Sequence, residues 1–347
     1  MARVRFTQNL ARHLLLAVAL VGCATSAPPP SRTVAERAGV AEPARVVERP
    51  SQIAHVNGID VAWDSFGDPH ARPLLLIMGL GLQMIAWDDA FCEALAARGF
   101  YVIRYDNRDV GLSTAFDAYG DPNPLRVFDD LRKKRPVKAP YLLRDLADDA
   151  AALLDTAGVK AAHVVGVSMG GMIAQELAIR HRERVLSLTS IMSTTGATDV
   201  RGPSYETIAA VLTPFPPDRA GFIRRSLEVG RTLHGPGFPF EDDRYRRLAA
   251  RSFDRAYRPA GVRRQLIAIW LSGDRTAALA RLSLPTLVIH GDADPLIPVD
   301  GGRATARVIP GARLEIIPGM GHELPRPVWP RVIDDVSALA AAVAPAP

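Results

Sequence analysis

A serine stands between two glycines, each two places away, in Gly166-Val167-Ser168-Met169-Gly170. The apolar run His163-Val164-Val165 comes before it and a helix-patterned stretch after it, which is how a chain exposes a nucleophilic hydroxyl. The turn from strand to helix must be very tight, and the flanking glycines let the two elements approach without Cβ clashes. A helix that begins at the serine also points its free N–H groups and positive dipole end toward any oxygen that gains charge during acyl transfer. The Gly-x-Ser-x-Gly string by itself is only a Gly-rich turn. Its place between strand and helix gives it chemical meaning.

A serine nucleophile needs a base, and the base needs an acid to orient it. Known serine triads differ in chain order, and one of them places the acid and then the histidine after a serine on such a strand–turn–helix turn. Leu287-Val288-Ile289-His290 reads as a buried strand after Pro285 and runs into Gly291-Asp292-Ala293-Asp294-Pro295, a turn with two carboxylates. Leu314-Glu315-Ile316-Ile317 reads as the last strand, and Pro318-Gly319-Met320-Gly321-His322-Glu323 as the loop at its end. Of the eight histidines, His322 alone follows the acid and sits in a Gly-flanked loop at a strand end. The acid is Asp294 or Asp292, and the other is a solvated or turn-capping carboxylate.

With these residues in place, the chain resembles the α/β-hydrolase superfamily over roughly residues 53 to 343. The run Tyr105-Asp106-Asn107-Arg108-Asp109-Val110-Gly111-Leu112-Ser113-Thr114, with Met78-Gly79-Leu80 ahead of Trp87, is similar to its aclacinomycin methylesterase-like branch. The resemblance implies a mostly parallel sheet flanked by helices on both faces, an inserted helical cap, and hydrolysis of a carboxylic ester through an acyl-enzyme. It also implies that the acid is the last Asp of the GxxD turn, Asp294. The oxyanion would be held by the backbone N–H groups of Met169 and of Leu80, in the loop after Leu74-Leu75-Leu76-Ile77, with Gly79 and Gly81 as alternatives to Leu80. Many relatives carry His-Gly where this chain has Met78-Gly79, a departure that a main-chain donor tolerates.

Other chemistry-bearing residues have plainer readings. Asp106, Arg108 and Asp109 follow the strand Tyr101-Val102-Ile103-Arg104 and read as a paired cluster that fixes a turn. His290 reads as a structural imidazole. His234-Gly235-Pro236-Gly237 echoes an oxyanion motif of proline iminopeptidases but lies far from the third strand. No Cys or His cluster has metal-ligand spacing and no Gly-rich loop suits a phosphate, so neither metal nor cofactor is expected.

The N-terminus is a separate unit. Arg3, Arg5 and Arg12 precede the run Leu14 to Val21, too short to span a bilayer but suited to a signal-peptide core, and Leu20-Val21-Gly22-Cys23 looks like a bacterial lipobox. Residues 1–22 are therefore expected to be removed and Cys23 acylated, the alternatives being an ordinary secretory signal or an uncleaved anchor. Residues 23–50, rich in Ala, Pro and Arg, read as a tether reaching on the order of 30 Å. By analogy with Gram-negative lipoproteins, Ala24 rather than Asp after the cysteine would send the protein to the periplasmic face of the outer membrane. Loss of the three leader arginines lowers the net charge from +5 to +2, which argues against a nucleic-acid partner. Arg132-Lys133-Lys134-Arg135 reads as a solvated loop. With Cys23 lipidated, Cys92 would be alone and could form no internal disulfide.

Strand and helix patterns alternate from residue 53, including helices at Asp88 to Arg98 and Tyr141 to Ala157, each ended by glycine. The alternation stops after Val185 to Met192, and nearly a hundred residues pass before the Leu287 strand, far more than one crossover needs. The expected organisation is a core at 51–192 and 276–347, with a helical cap at 193–275 whose aromatic residues mostly hold the cap itself together. The reading is a lipid-anchored serine esterase acting on a small, largely apolar ester. Thioester, lactone, amide or perhydrolase chemistry fits the same residues, and a non-catalytic ligand-binding protein on this fold is the reading from another class. The serine at 168 disfavours branches whose nucleophile is Asp. The sequence does not reveal the oligomeric state.

Overall fold

The computed structural model describes residues 50–343, so the expected signal peptide, Cys23 and nearly all of the tether lie outside the described residues. Eight strands form one sheet: β1 (Gln52–Val56), β2 (Ile59–Phe66), β3 (Arg72–Ile77), β4 (Phe100–Tyr105), β5 (Ala162–Val167), β6 (Val185–Ile191), β7 (Thr286–Gly291) and β8 (Arg313–Ile317). Their order is β1-β2-β4-β3-β5-β6-β7-β8. The β1/β2 and β2/β4 pairs are antiparallel and every later pair is parallel. The antiparallel edge begins with a two-residue turn, Asn57-Gly58, in which both residues have positive φ, the geometry that matches strand twist in a tight hairpin.

Successive residues of a strand face opposite sides of the sheet, and the parallel strands are apolar throughout because both sides are covered. Leu75 and Ile77 of β3 and Val164 of β5 join one core. That core also takes Leu146, Leu153 and Leu154 of α3 (Leu143–Thr156) and Ile173 and Leu177 of α4 (Met169–Arg180), counting α1 (Asp89–Ala96) and α2 (Pro124–Arg132) before them. Leu74, Leu76 and Val165 face the other way, onto Phe91 and Leu95 of α1 and the C-terminal helix. Asp88 caps α1 by accepting from the Ala90 amide, and Asn123 caps α2 through the amides of Leu125 and Arg126. The basic run is not wholly loop. Arg132 ends α2 and pairs with Asp129, as does Lys133, while Arg135 pairs with Asp130.

Four helices of at least eight residues, followed by one short one, lie between β6 and β7: α5 (Tyr205–Leu212), α6 (Arg219–Leu233), α7 (Asp242–Arg255) and α8 (Pro259–Ser272). Phe215, Phe222, Phe253 and Tyr257 pack ring against ring there in tilted and edge-on contacts. After them come α9 (Thr276–Leu279), then α10 (Asp300–Val308) between β7 and β8, and α11 (Trp329–Ala341) against the second core.

Arg104 in β4 is 1% exposed and fastens the antiparallel edge to the parallel body. Its guanidinium donates to both Asp64 oxygens of β2 at 2.7 and 2.9 Å, donates to the Trp87 carbonyl, ion-pairs with Asp89 and lies over the Phe66 ring. Removing one member of such a pair strands a buried charge. Arg104→Met should therefore lower unfolding free energy by about 3–5 kcal/mol in a denaturant titration. A loss under about 1 kcal/mol would show that the Asp64 carboxylate is solvated after all.

Candidate active site

Ser168 sits at φ 54° and ψ −120°, a backbone conformation that a side-chain-bearing residue rarely adopts, directly ahead of α4. Four hydrogen bonds hold it. Its amide donates to the Ile191 carbonyl at 2.9 Å, and its carbonyl accepts from Ser193 Oγ at 2.8 Å and from the amides of Gly171 and Met172. The glycines around it are required by backbone on backbone: a Cβ on Gly166 would lie 2.1 Å from the Gly170 carbonyl oxygen, and one on Gly170 would lie 2.1 Å from that of Ile77. The end of β3 is thereby pressed onto the serine turn.

His322 is carried by the loop after β8. Its Nδ1 lies 2.7 Å from Asp294 Oδ2 and its Nε2 lies 3.0 Å from Ser168 Oγ. A carboxylate only accepts, so Nδ1 carries the proton and the Ser168 hydroxyl donates to Nε2. The Asp294 side chain is fully buried, and its Oδ1 accepts from the amides of Leu296 and Ile297 at 2.9 Å each. Burial pushes this carboxyl up. The charge of His322 and hydrogen bonds from His290 and His322 outweigh that and hold it well below the usual carboxylate range. Asp292 turns away: its Oδ1 accepts from the Gly319 amide at 2.6 Å and shapes the turn.

The loop after β3 supplies the region of Leu80. A Cβ on Gly79 would lie 3.2 Å from Ser168 Cβ and 3.3 Å from the Val167 carbonyl oxygen, so this loop borders the serine. The Gly81 amide donates to Gln265 Oε1 of α8 at 2.9 Å and is occupied. Among the described residues, no hydrogen bond engages the amides of Leu80 or Met169, and Met169 opens α4 where no helical acceptor exists.

The charges after β4 pair with one another's neighbours. Asp106 accepts from the amides of Met84 and Leu112 and pairs with Arg255, Arg108 binds Asp149 with two bonds, and Arg264 binds both oxygens of Asp109. Together they brace the loops beside the serine.

Several positioning residues escape sequence reasoning. His290, fully buried, donates from Nε2 to the Ile297 carbonyl at 2.7 Å and lies 3.4 Å from Asp294 Oδ2. Only its spacing of four from Asp294 across a tight turn could have signalled this. Asn107, which donates to the Met78 carbonyl at 3.0 Å, stands in the run that resembles the methylesterase-like branch but nothing there gives it this role, and Gln265 carries no local signal at all. Cys92 is buried and its thiol is pushed up by that burial, which makes it unreactive. Among the described residues no cluster of His, Cys, Asp or Glu could hold a metal.

The spacing at Gly79 generates a test. Gly79→Ala crowds Ser168 by a few tenths of an ångström, and should give a folded protein whose labelling by a fluorophosphonate falls on the order of tenfold or more. Gly170→Ala meets an unyielding carbonyl and should fail to fold. Labelling of Gly79→Ala at the parent rate would mean that the β3 loop does not border the reactive oxygen.

Residues 72–325 match the family described as alpha/beta hydrolase fold. The chain is 36% identical over 285 residues to rhodomycin D methylesterase DauP of Streptomyces sp. (strain C5), covering 76% of this chain and 88% of that protein. It is 35% identical over 286 residues to rhodomycin D methylesterase DnrP of Streptomyces peucetius, with the same shares covered. Of solved structures, the esterase RhEst1 from Rhodococcus sp. ECU1013 is alike in fold, with a TM-score of 0.64 at 19% identity over 85% of this chain and 99% of that one. Sheet order, the turn at Ser168 and the family match over most of the described residues agree, and the chain belongs to the alpha/beta hydrolase fold family.

Proposed function

We propose that the chain is a serine esterase that cleaves a carboxylic ester of a largely apolar small molecule. The observation that carries this reading is the unbroken line Ser168 Oγ, His322 Nε2, His322 Nδ1, Asp294 Oδ2, with its 3.0 and 2.7 Å links, at the head of a helix. Ester chemistry in particular is supported by the methylesterase names of the two relatives, so methyl esters are the first substrates to try.

In this mechanism Ser168 Oγ attacks the ester carbonyl carbon while its proton passes to His322 Nε2. The carbonyl electron pair moves onto oxygen, which the N–H groups of Met169 and Leu80 receive at the positive end of α4. Collapse expels the alcohol, which takes the proton from His322 and leaves an acyl-serine. Water then repeats the two steps and releases the acid. Asp294, buried and held ionised, keeps His322 in the tautomer whose Nε2 can accept and balances the imidazolium that forms. Because Gly81 already donates to Gln265, Leu80 is favoured over it as the second donor.

Ser168→Ala and His322→Ala should each abolish ester hydrolysis in a folded protein, and the double variant should be scarcely worse, because such residues act as a unit and only about a thousandfold over water persists. Asp294→Asn should cost up to roughly ten-thousandfold in turnover and Asp292→Asn far less. Hydrolysis by folded Ser168→Ala near the parent rate sinks the mechanism, and a crippling Asp292 change moves the acid by two residues.

The enzyme is further proposed to be held by lipid at Cys23 on the periplasmic face of the outer membrane, a reading carried by Leu20-Val21-Gly22-Cys23 and Ala24 alone. Two or more acyl chains hold a protein far better than the marginal grip of one. The mature protein should therefore begin at an acylated Cys23 and sediment with membranes, and Cys23→Ser should not be acylated. Intact mass decides: an unmodified N-terminus at Thr25 or later would make this an ordinary secreted enzyme.

A further inference from the structure

The residue after the base, Glu323, has only a 7% exposed side chain, and its carboxylate points away from Ser168 into the inserted helices. Its Oε2 accepts from Tyr245 Oη of α7 at 2.7 Å, and its Oε1 is in ion-pair contact with His234 Nδ1 and accepts from the Gly235 amide at 3.3 Å. His234 Nε2 in turn lies 2.7 Å from the Phe238 carbonyl oxygen. Both ring nitrogens therefore face atoms that only accept, and the ring that fits is the imidazolium.

The two backbones are locked as well. The His322 amide donates to the Leu233 carbonyl at 2.8 Å, and the Gly237 amide to the Gly319 carbonyl at 2.9 Å. A Cβ on Gly235 would lie 2.2 Å from Gly321 N, one on Gly321 would lie 2.3 Å from the Leu233 carbonyl oxygen, and one on Gly319 would lie 2.5 Å from Gly237 Cα. The start of this loop is tied to the turn after β7, where Asp292 accepts from the Gly319 amide and the Ala293 amide donates to the Met320 carbonyl, while at His322 itself the main chain is held by the end of α6 and the segment that follows it.

We propose that Glu323 is a positioning residue for His322: clamped by His234 and Tyr245, it fixes the loop that keeps the imidazole in line with Ser168. The inference rests on His322 acting as the base. Burial alone would hold the His234 ring down, but the Glu323 carboxylate and the Phe238 carbonyl outweigh it and raise the ring above its ordinary value. The other charges around the clamp are Arg244 of α7, Glu241 just before that helix, Arg326 and Asp88, and the two arginines are each within 3.4–3.6 Å of both acids. They neutralise one another and leave His234 as the partner of Glu323. A raised imidazole supports the clamp fully at low pH, and that support is lost as pH rises through its raised value.

The test uses the full-length protein with p-nitrophenyl esters, fluorophosphonate labelling and circular dichroism on Glu323→Gln, His234→Gln and the milder Tyr245→Phe. Glu323→Gln and His234→Gln should lower kcat and labelling rate together, on the order of tenfold to a hundredfold, with KM within about twofold. The kcat ratio of parent to His234→Gln should be largest at low pH and fall toward one as pH rises, because the parent then loses the same charge. Tyr245→Phe, which keeps the packing, should show a smaller loss of the same kind. Unchanged kcat in folded Glu323→Gln, a loss confined to KM, or a ratio that does not vary with pH would each overturn the clamp. Activity surviving in Ser168→Ala would instead overturn the triad, so the two failures are told apart.

Discussion

The serine turn and the loop after β3 depend on one backbone approach, the carbonyl of Ile77 against Gly170. Ser168 is held at φ 54°, a conformation that costs on the order of 1–3 kcal/mol and persists only where its surroundings over-determine it. Here they do. The space for a side chain at Gly166 is filled by the Gly170 carbonyl, and that at Gly170 by Ile77, so strand, turn and helix cannot slide apart independently. The same approach that strains the serine brings Gly79 and Leu80 to it, so the proposed nucleophile and the candidate oxyanion donors are placed by a single contact.

A sheet can hold the proposed nucleophile with such rigidity, but not the proposed base. His322 hangs on a loop beyond β8, at the edge of the sheet, where no neighbouring strand continues. Its alignment is built from outside: Asp294 orients the ring, His290 and two amides orient Asp294, and Leu233 holds the His322 main chain. Burial of Asp294 works against its charge, and the surrounding donors offset that cost. An acid with fewer donors in so dry a place would take up a proton and lose the power to select a tautomer.

How legible this was follows from how local each signal is. Ser168, His322 and the parallel strands announce themselves in runs of fewer than ten residues, because turn chemistry and strand period are local properties. The excess of residues before β7 marks an insertion by length alone. The β1–β2 hairpin, turned at Asn57-Gly58, and α2, capped by Asn123, lie outside the strand–helix alternation that organises the rest and so escape a reading built on it. Gln265 is 184 residues from the Gly81 amide it accepts from, and Tyr245 is 78 from Glu323. No period or motif encodes such pairs. The choice between Asp292 and Asp294 was open locally for the same reason, since both lie in one turn and differ only in what the fold later sets opposite them.

The inserted helices therefore cannot be treated as a detachable lid. Gln265 of α8 holds the loop after β3, Arg255 of α7 and Arg264 of α8 hold Asp106 and Asp109 beside it, and Tyr245 with the segment after α6 holds the loop after β8. Helices that cover the serine would be expected to shape the substrate's path, and these same helices also set the loops that carry the chemistry. A change made there to admit a different ester would shift Gly81 or His322 unless Gln265, Tyr245 and Glu323 kept their partners. Residues that face the serine without touching either loop can vary freely, whereas those that bridge to a loop are tied to its alignment, so substrate range and turnover are coupled through the same few hydrogen bonds.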